Sequence, residues 1–230
     1  MEVLCYNWMP DEDWQRTSKD LPERGGAKVT AFDLKQAGEG NLTDADGLPP
    51  TRTPADRLWD NLKRFLDKIL PTAEDCKVRL ALHPDDPPLA NLHGQDRIIT
   101  SNEAFEKVVN LAPSPYNGLC YCQGALAPAG VDVEAGIRKL ASHIHYAHFR
   151  NVSGTADHFR ETFHDNGDLD MAALMRAYRE CGFNGPMRPD HAPSLAGEPN
   201  ETPGYETLGK LHAIGYMKGL YEGIGEKRSV

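Results

Sequence analysis

Five short apolar runs punctuate the chain: "VLCYNW" (3–8), "VRLALH" (78–83), "GLCYCQ" (118–123), "IHYAHF" (144–149) and "PMRPD" (186–190). Each has the length of a buried strand. Between most of them the apolar residues recur at helical spacing. "PADRLWDNLKRFLDKIL" puts Leu58, Leu62, Phe65, Leu66 and Ile69 on one stripe, and predicts a helix with Thr53 as N-cap and Pro54 in its first turn. "NEAFEKVVNL" and "VEAGIRKL" are shorter versions. "MAALMRAYRECGF" places Met171, Leu174, Met175 and Tyr178 on one face and predicts a stop at Gly182. A last helix is predicted from about Gly204 to Glu222. Strands alternating with helices mean βα units on a parallel sheet, an α/β fold. Residues 9–53 break the rhythm, being rich in Pro, Gly, Asp and Thr. They read as a loop-rich insertion after the first strand that covers a site.

Composition narrows the partners. The net charge of −9 argues against nucleic acid, whose phosphates want a basic face. It also means that an anionic substrate needs local help from a metal or from arginines. The longest apolar runs are too short to span a membrane, and the first residues lack the basic segment and apolar run of a secretory signal. Five scattered cysteines (5, 76, 120, 122, 181) fit a reducing compartment without a disulfide framework, so the expected location is the cytoplasm.

Candidate chemistry gathers at the ends of the runs. His83 closes the second, Cys122 the third, His148 the fourth and Asp190 the fifth. That is the end where parallel α/β sheets and barrels place their active sites. Two imidazoles, a thiolate and a carboxylate make a four-ligand metal set, with His191 as catalytic neighbour of Asp190. Taken singly, each has a plainer reading: a hydrogen-bonded histidine, or a small buried thiol. Cys120 shares a strand face with Cys122 but lies a layer away, which predicts packing and not ligation. On "HIHYAH", Ile144, Tyr146 and His148 share one face while His143 and His145 point the other way. Asp85 and Asp86, in "HPDDPP", either orient His83 from behind or form an Asp-Pro turn. Arg150 and Arg188 flank the ligands and either clasp a substrate carboxylate or form structural ion pairs. His164, in a loop, is a weaker candidate.

In order along the chain, "CYNWMPDEDWQRT", "LALHPDDPP", "CYCQG", "HFRN", "ETFHDNGDLDM", "MRPDH" and "PGY" resemble the mannonate dehydratases, metal-dependent enzymes with a xylose-isomerase-like TIM barrel. The resemblance runs from about residue 3 to 223. It implies metal ligation by His83, Cys122, His148 and Asp190, and acid/base roles for His191 and for Tyr205, which only the resemblance singles out. The implied reaction is loss of water from D-mannonate to give 2-keto-3-deoxy-D-gluconate in hexuronate (glucuronate) catabolism. The implied ion is Mn²⁺, with Fe²⁺, Co²⁺ or Zn²⁺ as alternatives; a thiolate alone would favour zinc or iron. A sugar isomerase or epimerase on the same barrel, and a metal-binding relative without turnover, are the competing readings.

The family carries eight βα units, whereas five strands are visible here, the first resembling the family's fourth. Residues 1–230 thus read as one partial TIM-barrel domain lacking the N-terminal third, an open sheet with exposed edges. A homodimer is the assembly this reading allows for.

Overall fold

The computed structural model describes residues 2–9, 16–37 and 53–225. Chain order begins with β1 (Val3–Tyr6), β2 (Ser18–Pro22), β3 (Lys28–Asp33), α1 (Leu34–Ala37), α2 (Ala55–Asp75) and β4 (Arg79–Leu82). It continues with β5 (Asn91–Leu92), β6 (Gln95–Asp96), α3 (Asn102–Leu111), β7 (Asn117–Cys122), α4 (Gln123–Leu126), α5 (Val133–Leu140) and β8 (Ile144–His148). It closes with β9 (Val152–Thr155), β10 (His158–Glu161), α6 (Met171–Glu180), β11 (Met187–Arg188) and α7 (Thr207–Ile224).

All five apolar runs become strands of one parallel sheet, in the order β1-β4-β7-β8-β11. Its register sets Cys5 beside Ala81, Leu82 beside Leu119, Cys122 beside His148 and Arg188 beside His148. Sequential parallel order with helical crossovers is the pattern of TIM-barrel βα units, here forming a half-barrel whose edge strands are β1 and β11. Alternation along the strands separates two environments. Leu80, Leu82, Leu119 and Tyr121 join the helices in the core, while Cys120 and Cys122 lie on the other face. The α2 stripe buries Leu58, Leu62, Leu66 and Leu70 in that core. Full burial of such a side chain contributes about 1.5–3 kcal/mol.

The helix ends obey local chemistry with one correction. Ser101, Asp132 and Asp170 cap α3, α5 and α6 with side-chain oxygens that accept from backbone N–H groups. α6 ends as predicted, with Gly182 at φ 71° receiving the chain after Cys181. Thr53 is not the cap of α2. Pro54 occupies that position, and the Ala55 N–H donates to the Asp96 carboxylate, 3.0 Å away, supplied from β6.

The stretch at 9–53 is not a simple loop. Its described part carries β2 and β3, which pair with each other and, through β3 on β10, join β9 in a second, antiparallel sheet ordered β2-β3-β10-β9. Residues 10–15 and 38–52 of that stretch lie outside the described residues. Phe32, Phe159 and Leu92 form a small core beneath this sheet. No helix among the described residues is long and apolar enough to cross a membrane, and all five cysteines are free.

Candidate metal centre and active-site cleft

His83, Cys122, His148 and Asp190 converge at the C-terminal end of the parallel sheet, with one ligand atom from each lying within 4.8 Å of the others. Three of the four are buried. His83 Nε2 lies 3.1 Å from His148 Nδ1, His148 Nδ1 lies 3.5 Å from Asp190 Oδ2, and Cys122 Sγ lies 3.9 Å from Asp190 Oδ2. Ligands at metal–nitrogen and metal–oxygen distances of about 2.0–2.2 Å sit roughly 3.0–3.6 Å from one another, and a thiolate sits somewhat farther. These spacings match the edges of one small coordination polyhedron. His83 Nδ1 is 2.6 Å from the Pro84 carbonyl, to which it can only donate, so its Nε2 carries the lone pair. The Asp190 carboxyl is pushed up by burial but drawn down more strongly by His191 and His148, and ends well below the usual carboxylate range. A divalent cation therefore fits this donor set.

Three of these four residues, His83, His148 and Asp190, line a cleft of about 580 Å³ bordered also by Cys5, Lys19, Tyr146, Arg188, His191 and Tyr205. A larger hollow of about 950 Å³ lies at the opposite end of the sheet, lined by Arg79, His143 and His145, away from the ligand set. His191 and Tyr205 meet edge to face with ring centroids 5.1 Å apart. Gly204, at φ 85°, turns the chain so that Tyr205 follows directly, and its carbonyl accepts from the Ala192 N–H. Burial, with the Asp190 charge, pushes the Tyr205 phenol above its ordinary value.

Two expectations change here. Asp85 and Asp86 do not hydrogen-bond the His83 ring. Asp85 accepts from the Ile99 N–H at 2.9 Å, and burial pushes its carboxyl up. Asp86 instead meets the Arg16 and Arg150 guanidiniums, each at 2.8 Å. Arg150 is 0% exposed, and Gly124 admits it: a Cβ there would come within 2.5 Å of Arg150 Cγ. Its guanidinium is taken up by Asp86 and Glu161 and lies 3.8 Å from Cys122 Sγ, which leaves it no place on the cleft wall. Arg188 does border the cleft, and it holds Asp190 Oδ1 at 2.5 Å.

Sequence reasoning missed Glu161, Arg16 and Cys5. Glu161 accepts from both arginines and lies 3.0 Å from His191 Nδ1. Cys5 lies with Cys120 and His148 in a second cluster, and the Cys120 thiol draws the Cys5 thiol down to about 7. Cys120 itself is fully buried and stands outside the group of His83, Cys122, His148 and Asp190. His164 is wholly buried, and burial pulls it down to about 4.

The family model described as D-mannonate dehydratase (UxuA) matches residues 1–47 and 51–229. The mannonate dehydratase of Thermotoga petrophila is 33% identical over 265 residues, covering 99% of this chain and 72% of that protein. The crystal structure of mannonate dehydratase from Streptococcus suis serotype 2 superposes with a TM-score of 0.88 at 34% identity, over 100% of this chain and 70% of that one. A xylose isomerase domain protein from Planctomyces limnophilus, at 17% identity and TM-score 0.54 over 77% of this chain and 58% of its own, shares the barrel fold alone. By the match of that model over nearly its whole length, the chain belongs to the D-mannonate dehydratase family.

Proposed function

We propose that this chain removes water from D-mannonate to give 2-keto-3-deoxy-D-gluconate, in the cytoplasm, as a step of hexuronate breakdown. The observation that carries the reading is the convergence of His83, Cys122, His148 and Asp190 on one point at the floor of a cleft that His83, His148, Asp190, His191 and Tyr205 line. The chemistry is demanding because the C2 proton lies beside a carboxylate and its removal accumulates negative charge. His83, Cys122, His148 and Asp190 would hold Mn²⁺, which would supply a Lewis acid for that charge.

The chain's own residues do the rest. His191 takes the C2 proton. Tyr205, whose phenol is held above its ordinary value, keeps its proton across the neutral range and gives it to the departing C3 hydroxyl. Arg188, with a side chain 44% exposed at the cleft, pairs with the substrate carboxylate. Arg150 serves the site from behind.

The test is an assay for the 2-keto-3-deoxy acid from D-mannonate, using protein stripped of metal and then resupplied with Mn²⁺. Metal-dependent product is expected. His191→Asn abolishes turnover and keeps stoichiometric metal; loss of metal in that variant makes His191 a ligand and overturns the division of roles. Turnover of ketoses in place of mannonate moves the chain to the isomerases.

A further inference from the structure

His191 is fastened to a closed ring of charge. Arg150 donates to both Glu161 oxygens, Nε to Oε2 at 2.8 Å and a terminal nitrogen to Oε1 at 2.5 Å. Arg16 donates to Glu161 Oε1 at 3.1 Å. The same two arginines each meet Asp86 Oδ2 at 2.8 Å, which closes the circuit Asp86–Arg16–Glu161–Arg150. The side chains are 8%, 0%, 2% and 0% exposed in that order. Each corner comes from a different segment: ahead of β2, after β4, after β8, and the end of β10.

Two carboxylates and two guanidiniums cancel, and the Glu161 carboxylate is anchored through both oxygens. Burial pushes the Glu161 carboxyl up, but Arg150, His191 and Arg16 together outweigh it and hold the group down at about 2, so it is ionised at neutral pH. An ionised carboxylate accepts and cannot donate. The 3.0 Å contact from Glu161 Oε1 therefore requires the proton on His191 Nδ1. The other ring nitrogen, Nε2, is turned to the metal side, 3.6 Å from Asp190 Oδ2.

We propose that Glu161 is a positioning residue acting through His191: it fixes the ring and its tautomer so that Nε2, not Nδ1, handles the substrate proton. The proposal rests on the reading of His191 as the acid/base residue. The two fail separately in the following experiment.

The imidazole ¹⁵N signals of His191, assigned by their loss in His191→Asn, are recorded with diamagnetic Zn²⁺ bound, at about pH 8, above the usual histidine range. Wild type, Glu161→Gln and Glu161→Asp are compared, and kcat and KM for D-mannonate are measured with Mn²⁺. The expected wild-type signal is that of a ring protonated at Nδ1 alone. Glu161→Gln, whose amide offers an NH₂ as readily as an oxygen, gives a tautomer mixture. Its kcat falls roughly 10–100-fold, the scale for removing a partner of this type. KM changes less than about threefold and metal content is kept. Glu161→Asp keeps the charge and restores most of the Nδ1–H form. A wild-type ring protonated at Nε2, or a tautomer unmoved in Glu161→Gln, overturns the proposal. If Glu161→Gln does not fold, the wild-type and Glu161→Asp spectra decide. A wild type without turnover sinks the functional reading, while the spectra still judge Glu161.

Discussion

Replacing Arg150 with Met separates a structural arginine from a substrate-binding one. The substitution keeps the apolar stem that Gly124 makes room for and deletes the guanidinium. Asp86 and Glu161, 8% and 2% exposed, are then left with Arg16 as their shared counter-charge. Breaking a buried pair on one side costs about 3–5 kcal/mol, because the stranded charge keeps its desolvation penalty. For a chain of 230 residues, 1 kcal/mol moves the melting temperature by about 2–4 °C, so Arg150→Met should melt about 6–20 °C lower. One of the two carboxyls should also take up a proton in the neutral range. Calorimetry of the metal-free protein measures the first effect, and proton uptake on folding measures the second. With Glu161 loosened, kcat falls as well, and KM changes little. An unchanged melting temperature with a KM raised tenfold or more would refute the reasoning and return Arg150 to the cleft wall as a substrate contact.

Two further predictions concern the candidate thiol ligand and acid. Cys122→Ala loses stoichiometric metal on dialysis whereas Cys120→Ala keeps it; the reverse would move the ion to the cluster of Cys5, Cys120 and His148. Glu161 sits at about 2 when folded against an ordinary 4.5, a depressed carboxylate, so its contribution is complete above pH 4.5 and lost as pH falls toward 2. That window is worth about 3 kcal/mol, and urea midpoints of the metal-free chain should fall through it. Arg150→Met should show a shallower fall, and an equal slope in both proteins would contradict the ring.

How much of this was legible in the sequence depends on the range of the interaction. The four candidate ligands each terminate an apolar run, and a parallel sheet brings the ends of its strands together, so a local pattern sufficed to nominate them as one cluster. The same logic found α2 and α6, whose stripes face one core. It failed for β2 and β3 because no residue of the edge strand β2 is fully buried, and β10, which flanks β3 on its other side, lies well over a hundred positions away. Arg16 and Glu161 are 145 residues apart and met no common pattern. Adjacency in sequence also misled. Asp85 and Asp86 stand beside His83, yet the Pro84 carbonyl holds that ring, and both carboxylates serve distant partners. Arg150 stands two residues beyond His148 and is fully buried, away from the cleft lining. One consequence follows for recognition. Once Arg16 and Arg150 are neutralised by Asp86 and Glu161, Arg188 and Lys19 are the cationic side chains among the described residues that line the cleft. On the proposed reading the sugar acid's carboxylate would fall to Arg188, Lys19 and a bound cation, so metal removal should weaken substrate binding as well as turnover.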